Sequence, residues 1–212
     1  MTHKVLEREY GATVKADLAK ADLGVAWPHV LQGVVVTILC QATGWCNAKR
    51  ALAPMADIYG DSFAYDAIVD GGVDKLCETT CCRGLQNRKS KMLMKVLEQV
   101  HERHSKWTHH HLLDKPDSEI MQEMLSYNGM GPRLAYCVLS IVLKRHRFAC
   151  PPNVARELVQ AHLEDQISDS IKFDLHYLLI THGLECAHCK RGPKLRGLCD
   201  VRKEISTFLN AK

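Results

Sequence analysis

The sequence predicts an all-α protein, and three observations carry that prediction. Aromatic residues make up only 6% of the 212 positions, which is sparse for packed sheets. Apolar residues recur at helical spacing through most of the chain. Short breaks of Gly, Pro, Asn and Asp separate those stretches. With 46% apolar and 25% charged residues, the chain can bury a sizeable core in one large domain or two small helical lobes, and it lacks the composition of a disordered segment.

Taken in order, residues Trp27 to Ala42 form an almost wholly apolar segment behind Pro28, a residue suited to a first helical turn. Val34, Val35, Val36 and Ile38 are β-branched, but the segment is long enough for a buried helix. A second helix runs from Asn47 to Ile58, kinked or broken at Pro54. Asp61-Ser62 opens a short helix ending at Asp70-Gly71-Gly72. Asn87 to His104 follows, with Met92, Leu93, Val96, Leu97 and Val100 on one side. From Arg83 to Arg103 there are six basic residues against two acidic ones, a pattern that also suits a solvated face. Ser105 to Pro116 reads as a connector; its three successive histidines point in different directions and are expected to form a polar loop rather than a metal site.

Asp117 or Ser118 is expected to cap a helix bearing Ile120, Met121, Met124 and Leu125. Gly129-Met-Gly131-Pro132 breaks it, and Pro132 opens another apolar helix to Lys144. Helices at about Asn153 to Leu163 and Ser170 to His182, a cysteine-bearing loop and a short tail helix complete the chain. No internal repeat is present.

The formal charge of +4 permits nucleic-acid binding without demanding it. The N-terminus has no apolar stretch of signal-peptide length, and the longest apolar run, Val34 to Cys40, is far too short for a membrane span. An intracellular protein, nuclear if eukaryotic, is expected. Ten scattered cysteines without an export signal argue against a disulfide framework. Cys40 and Cys137 sit in apolar helical patterns, as core filler.

The most informative stretch is Met124-Leu-Ser-Tyr-Asn-Gly-Met-Gly-Pro-Arg-Leu-Ala-Tyr-Cys-Val138: helix, two-glycine turn, helix. Such a turn leaves amides uncovered and can hold a phosphate, or it can simply join two helices. It resembles the helix-hairpin-helix of the endonuclease III-like (HhH-GPD) superfamily of DNA glycosylases, whose pattern is Leu-Pro-Gly-Val-Gly-x-Lys-Thr-Ala. Three further segments match in order. Cys40-Gln-Ala-Thr43 is similar to the family's Ala-Gln-Ala-Thr, Gly84-Leu-Gln-Asn-Arg-Lys89 to Gly-Leu-Tyr-Asn-x-Lys, and Phe148-Ala-Cys-Pro-Pro-Asn-Val-Ala-Arg156 to Phe-Pro-Val-Asp-Thr-Asn-Val-x-Arg. The resemblance covers roughly residues 25 to 200.

The resemblance implies a fold of two helical lobes: residues 25–145, with the hairpin at about 118–144, and residues 1–24 joined by 146–212. It implies a double-stranded DNA partner and a flipped nucleotide, the strategy of base excision repair. By position, Gln41 would fill the gap left by that nucleotide and Leu85 would wedge into the stack. Gly129 and Gly131 would present amides to a phosphate, with a monovalent cation there open. Arg133, Arg88, Lys89 and Arg83 would contact the DNA backbone. The helix-cap and core roles of Gln41 and Leu85 remain alternatives.

The chemistry departs from the family. Its catalytic Asp falls at Pro151, which has neither charge nor proton, and its Schiff-base Lys falls at Arg133, whose guanidinium stays protonated. A DNA-binding pseudoenzyme is therefore expected. A monofunctional glycosylase using a relocated acid such as Glu157 or Asp169, and a protein-interaction scaffold, are the rivals. In the tail, Cys186-Ala-His-Cys189 and then Cys199 look like a damaged cluster loop. A [4Fe-4S] cluster, a zinc ion completed by His182 or His188, or no metal are all open.

Overall fold

The computed structural model describes residues 2–21, 29–41, 45–80, 86–150, 157–190 and 197–210. Among these there are ten α-helices and no strand: α1 (Thr2–Ala21), α2 (Val30–Leu39), α3 (Trp45–Tyr59), α4 (Tyr65–Thr79), α5 (Gln86–His104), α6 (Asp117–Ser126), α7 (Pro132–Cys137), α8 (Glu157–Gln166), α9 (Asp169–Glu185) and α10 (Asp200–Asn210). The protein is all-α. None of the described helices is long and apolar enough to cross a membrane. The chain divides into two compact units, Ala26–Arg145 and Met1–Val25 with His146–Lys212.

In the first unit α2 is the central helix, buried at every position except Gln32. Burial on all sides overrides the weak helix preference of its Val run. Leu93, Val96, Leu97 and Val100 of α5 join it in one core with Ile120, Met124, Leu134 and Leu139. Pro54 is accommodated within α3. Two expected boundaries shift. Asp61 and Ser62 do not open a helix: Asp61 accepts the Phe63 N–H at 3.0 Å, and Ser62 donates to the Leu52 carbonyl at 2.8 Å, so both build the preceding turn. The helix starting at Tyr65 does not stop at Gly72, which kinks it with φ +78°, and it continues to Thr79.

Pro116, rather than Asp117 or Ser118, is the N-cap of α6, and Asp117 lies in the first turn where a carboxylate suits the helix dipole. The helix expected to reach Lys144 gives way after Cys137 to a π-helical segment, Val138–Val142, and Lys144 has φ +55°.

In the second unit α1 lies along α9. α1 is not among the helices expected from the sequence, although Leu6, Tyr10, Val14 and Leu18, spaced by four, face this unit's core. Phe148, Cys150, Leu175 and Leu178 complete that core. Beside it Glu164 is buried, accepting the Phe148 N–H at 2.7 Å through one oxygen and Lys172 Nζ at 2.9 Å through the other. Outside, Arg8 of α1 grips Glu204 of α10 with two hydrogen bonds of 3.1 and 2.7 Å.

Candidate nucleic-acid interface and metal centre

The hairpin turn is built to one shape. Tyr127 leaves α6 in extended conformation, and Met130 N–H closes the turn on the Tyr127 carbonyl at 3.1 Å. Gly129 has φ +85°, and a Cβ there would stand 3.0 Å from Met92 Cγ; both facts require glycine. Gly131 caps α7, Pro132 follows at its first position, and a Cβ on Gly131 would meet open space.

The arms are tied to α5. Gln99 Oε1 accepts the Asn128 N–H at 2.8 Å, and Arg103 donates to Ser126 Oγ at 2.6 Å while lying over the Tyr127 ring. Below them His109 is fully buried and meets the Tyr127 hydroxyl at 2.9 Å. Burial, then the neighbouring His111 and His104, lower its pKa to about 3, so the ring is neutral.

Gln41 lies half-buried in the turn after α2, its N–H on the Ile38 carbonyl at 3.1 Å. Arg133 is exposed in the first turn of α7, and Arg88 is exposed near the start of α5. Leu85, Arg83 and Pro151 lie outside the described residues, as does the side chain of Glu157.

Lys89, expected at the DNA backbone, is placed inside its unit. It is only 9% exposed, and its Nζ donates to the carbonyl of Leu39 at 2.7 Å. That carbonyl ends α2, so a cation there complements an unsatisfied helix end. Sequence cannot distinguish this lysine from its solvated neighbours on a basic helix. Lys89→Met is expected to cost about 2 kcal/mol in urea unfolding, the worth of a charge-assisted hydrogen bond; an unchanged midpoint would contradict the structural role.

The second candidate site gathers His182, Cys186, Cys189 and Cys199, one donor atom from each lying within 4.8 Å of all the others. His182 sits in the last turn of α9, Cys186 caps that helix, and Cys199 immediately precedes α10. Cys186 and Cys199 Sγ are 3.8 Å apart, and Cys199 Sγ is 3.5 Å from His182 Nε2. The other ring nitrogen of His182, Nδ1, meets the Tyr10 hydroxyl of α1 at 3.1 Å. His188 is not in the group; the i, i+4 pair His182–Cys186 on one helical face supplies the fourth donor.

Burial tends to raise the Cys186 thiol, but N–H groups of Cys189 and His188 and the neighbouring thiols bring it below its ordinary value. Burial, and then the other thiols, push Cys199 up to about 11 despite an N–H from Arg202. Burial also keeps His182 below the usual imidazole range, in the neutral form that can bind a metal. The group could hold a metal ion.

No family model matches the chain. An Arabidopsis thaliana protein provisionally named a DNA glycosylase is 26% identical over 176 residues, covering 76% of this chain and 59% of that protein. The chain therefore spans less than two thirds of that relative. A Methanocaldococcus jannaschii protein provisionally named a DNA repair glycosylase is 27% identical over 188 residues, covering 82% and 84%. Among solved structures, endonuclease III trapped as a covalent DNA intermediate matches with a TM-score of 0.62 at 13% identity, over 97% of this chain and 99% of that one. The 3-methyladenine DNA glycosylase of H. pylori bound to 1,N6-ethenoadenine gives 0.61 at 13%, over 87% and 97%. These two likenesses are of fold.

Proposed function

This chain belongs to the helix-hairpin-helix (HhH-GPD) superfamily of DNA glycosylases, and from that membership we propose that it binds double-stranded DNA through the hairpin without excising a base. The observation that carries the reading is the turn itself. Glycine is required at 129 by its backbone and by Met92, and nothing stands over Gly131. Exposed Arg133 follows within the same first helical turn. Backbone amides of such a turn beside a permanent cation would suit a phosphate and read no base.

The loss of excision rests on chemistry. Glycosidic cleavage needs a carboxylate to stabilise an oxocarbenium-like transition state, and Pro151 at the family's Asp position offers none. A guanidinium at position 133 cannot form a Schiff base. Of the described carboxylates that follow in the same unit, Glu164 accepts from Phe148 and Lys172, and Asp169 pairs with Lys172 at 2.7 Å.

Fluorescence anisotropy with a duplex carrying an abasic-site analogue tests the binding. The logarithm of the binding constant should fall linearly with the logarithm of salt, and Arg133→Ala should reduce that slope by about one. Salt-independent or absent binding would sink the proposal. Release of uracil, an oxidised base or a methylated base by the wild-type protein would overturn the loss of excision.

We also propose that His182, Cys186, Cys189 and Cys199 hold one zinc ion. Zinc with Zn–S of about 2.3 Å and Zn–N of about 2.0 Å has tetrahedral edges of about 3.8 and 3.5 Å, the two separations found here. On a [4Fe-4S] cube each cysteine binds its own iron, which sets the sulfurs farther apart than this group allows. The donor set fits a closed structural site, with Tyr10 orienting the imidazole.

A further inference from the structure

The three successive histidines diverge, as neighbours on a chain must, yet each finds a partner elsewhere in its unit. His109 goes inward to Tyr127, and His110 pairs with His29 at 3.1 Å. His111, in the 3₁₀ turn His110–Leu112, reaches α6, where its Nε2 lies 2.8 Å from Glu123 Oε1. His104, from the last turn of α5, brings its own Nε2 within 3.5 Å of the same oxygen. The His104 and His111 rings are 4.6 Å apart, and the three donor atoms all lie within 4.8 Å of one another.

We propose that His104, His111 and Glu123 form a second metal site, for zinc or a similar divalent transition ion. Two imidazoles and a carboxylate from three separate elements match the composition of a three-ligand zinc site that keeps a position for water. Exposures of 26% and 31% for the histidines and 17% for Glu123 leave an entry path. A supporting layer is present, because the Tyr127 hydroxyl lies 3.3 Å from Glu123 Oε1 and buried His109 holds that hydroxyl in turn.

Without an ion, Glu123 Oε1 is approached by three donors at once, His104, His111 and Tyr127. An ion would draw the two imidazoles and the carboxylate onto itself and link α5 to α6 about one turn before the end of α6. The ion would thereby brace the hairpin arm, whereas the cysteine site belongs to the other unit.

The test uses tag-free full-length protein, with zinc sulfate as the titrant and the cysteine site already loaded. A second equivalent should bind, and Glu123→Gln, like His111→Ala separately, should weaken it by about a hundredfold or more. Cys199→Ser should leave this second equivalent in place. Cobalt(II) bound at this site should lack the thiolate charge-transfer absorption that the cysteine site gives, a readout on wild-type protein that is independent of how well the variants fold. Failure of the wild type to take up a second equivalent would overturn the proposal. So would a second equivalent that survives both substitutions, and its loss in His29→Ala would then place the ion at the His29–His110 pair instead. Neither result would bear on DNA binding by Arg133.

Discussion

Cys199→Ser is expected to remove one equivalent of zinc and to destabilise the unit formed by α1, α8, α9 and α10 by about 4 kcal/mol, a drop of about 20 °C in melting temperature for a unit of this size. The size follows from what converges on the site. Cys199 is 1% exposed and sits at the start of α10. His182 and Cys186 end α9, and Tyr10 of α1 supports the imidazole. Three helices are thus fixed at one point, while the small core around Leu6, Phe148 and Leu175 must otherwise hold them.

A zinc-finger peptide draws all its folding energy from the ion; this unit has its own core, so the loss should be smaller. Elemental analysis should find zinc without iron or sulfide, and the protein should show no absorption near 400 nm. His182→Ala should lose the ion, His188→Ala should keep it, and Tyr10→Phe should weaken it about tenfold. Iron with sulfide in the purified protein, or full zinc content in Cys199→Ser, would defeat the assignment.

What the sequence revealed and what it hid divide along physical lines. The hairpin was legible because its constraints are local: Gly129 needs a positive φ, and Pro132 sits at a helix start. The apolar side of α5 was legible from Met92, Leu93, Val96, Leu97 and Val100, all buried. Charged residues interleaved with Leu6, Tyr10, Val14 and Leu18 diluted the pattern of α1. The burial of Lys89 was hidden because its partner is a backbone carbonyl 50 positions away, and no side-chain pattern announces a carbonyl.

The candidate metal-ligating sets show the same divide. Cys186, Cys189 and Cys199 are close in sequence and were found as a trio. His182 was one of two choices until the helix placed it on the face of Cys186. His104, His111 and Glu123 come from three elements, and only tertiary packing brings their donor atoms together.

Gly33→Ala is expected to lower stability by about 3 kcal/mol, although the same change on an exposed helix surface gains about 1 kcal/mol. A Cβ at position 33 would overlap Val142 Cγ1 and lie 2.8 Å from Cγ2 and 3.1 Å from Cβ. Val142 is buried in the π-helical segment, so neither partner can simply turn toward solvent. The glycine is therefore required by contact rather than by φ.

On the proposed reading of the hairpin, the contact would also bear on DNA binding. Gln41 lies just beyond the end of α2, and Arg133 stands at the start of the helix that runs on into the π segment. Packing of Gly33 on Val142 fixes those two candidate DNA residues relative to each other. Gly33→Ala should therefore weaken duplex binding even at temperatures where the variant is folded. Val142→Ala removes both clashing methyls, so the double variant should recover about 2 kcal/mol relative to the sum of the single changes. Much of its DNA affinity should return as well. Additive losses in stability would mean that the methyl contact is not the cause, and an unchanged duplex affinity in Gly33→Ala would separate this packing from DNA recognition.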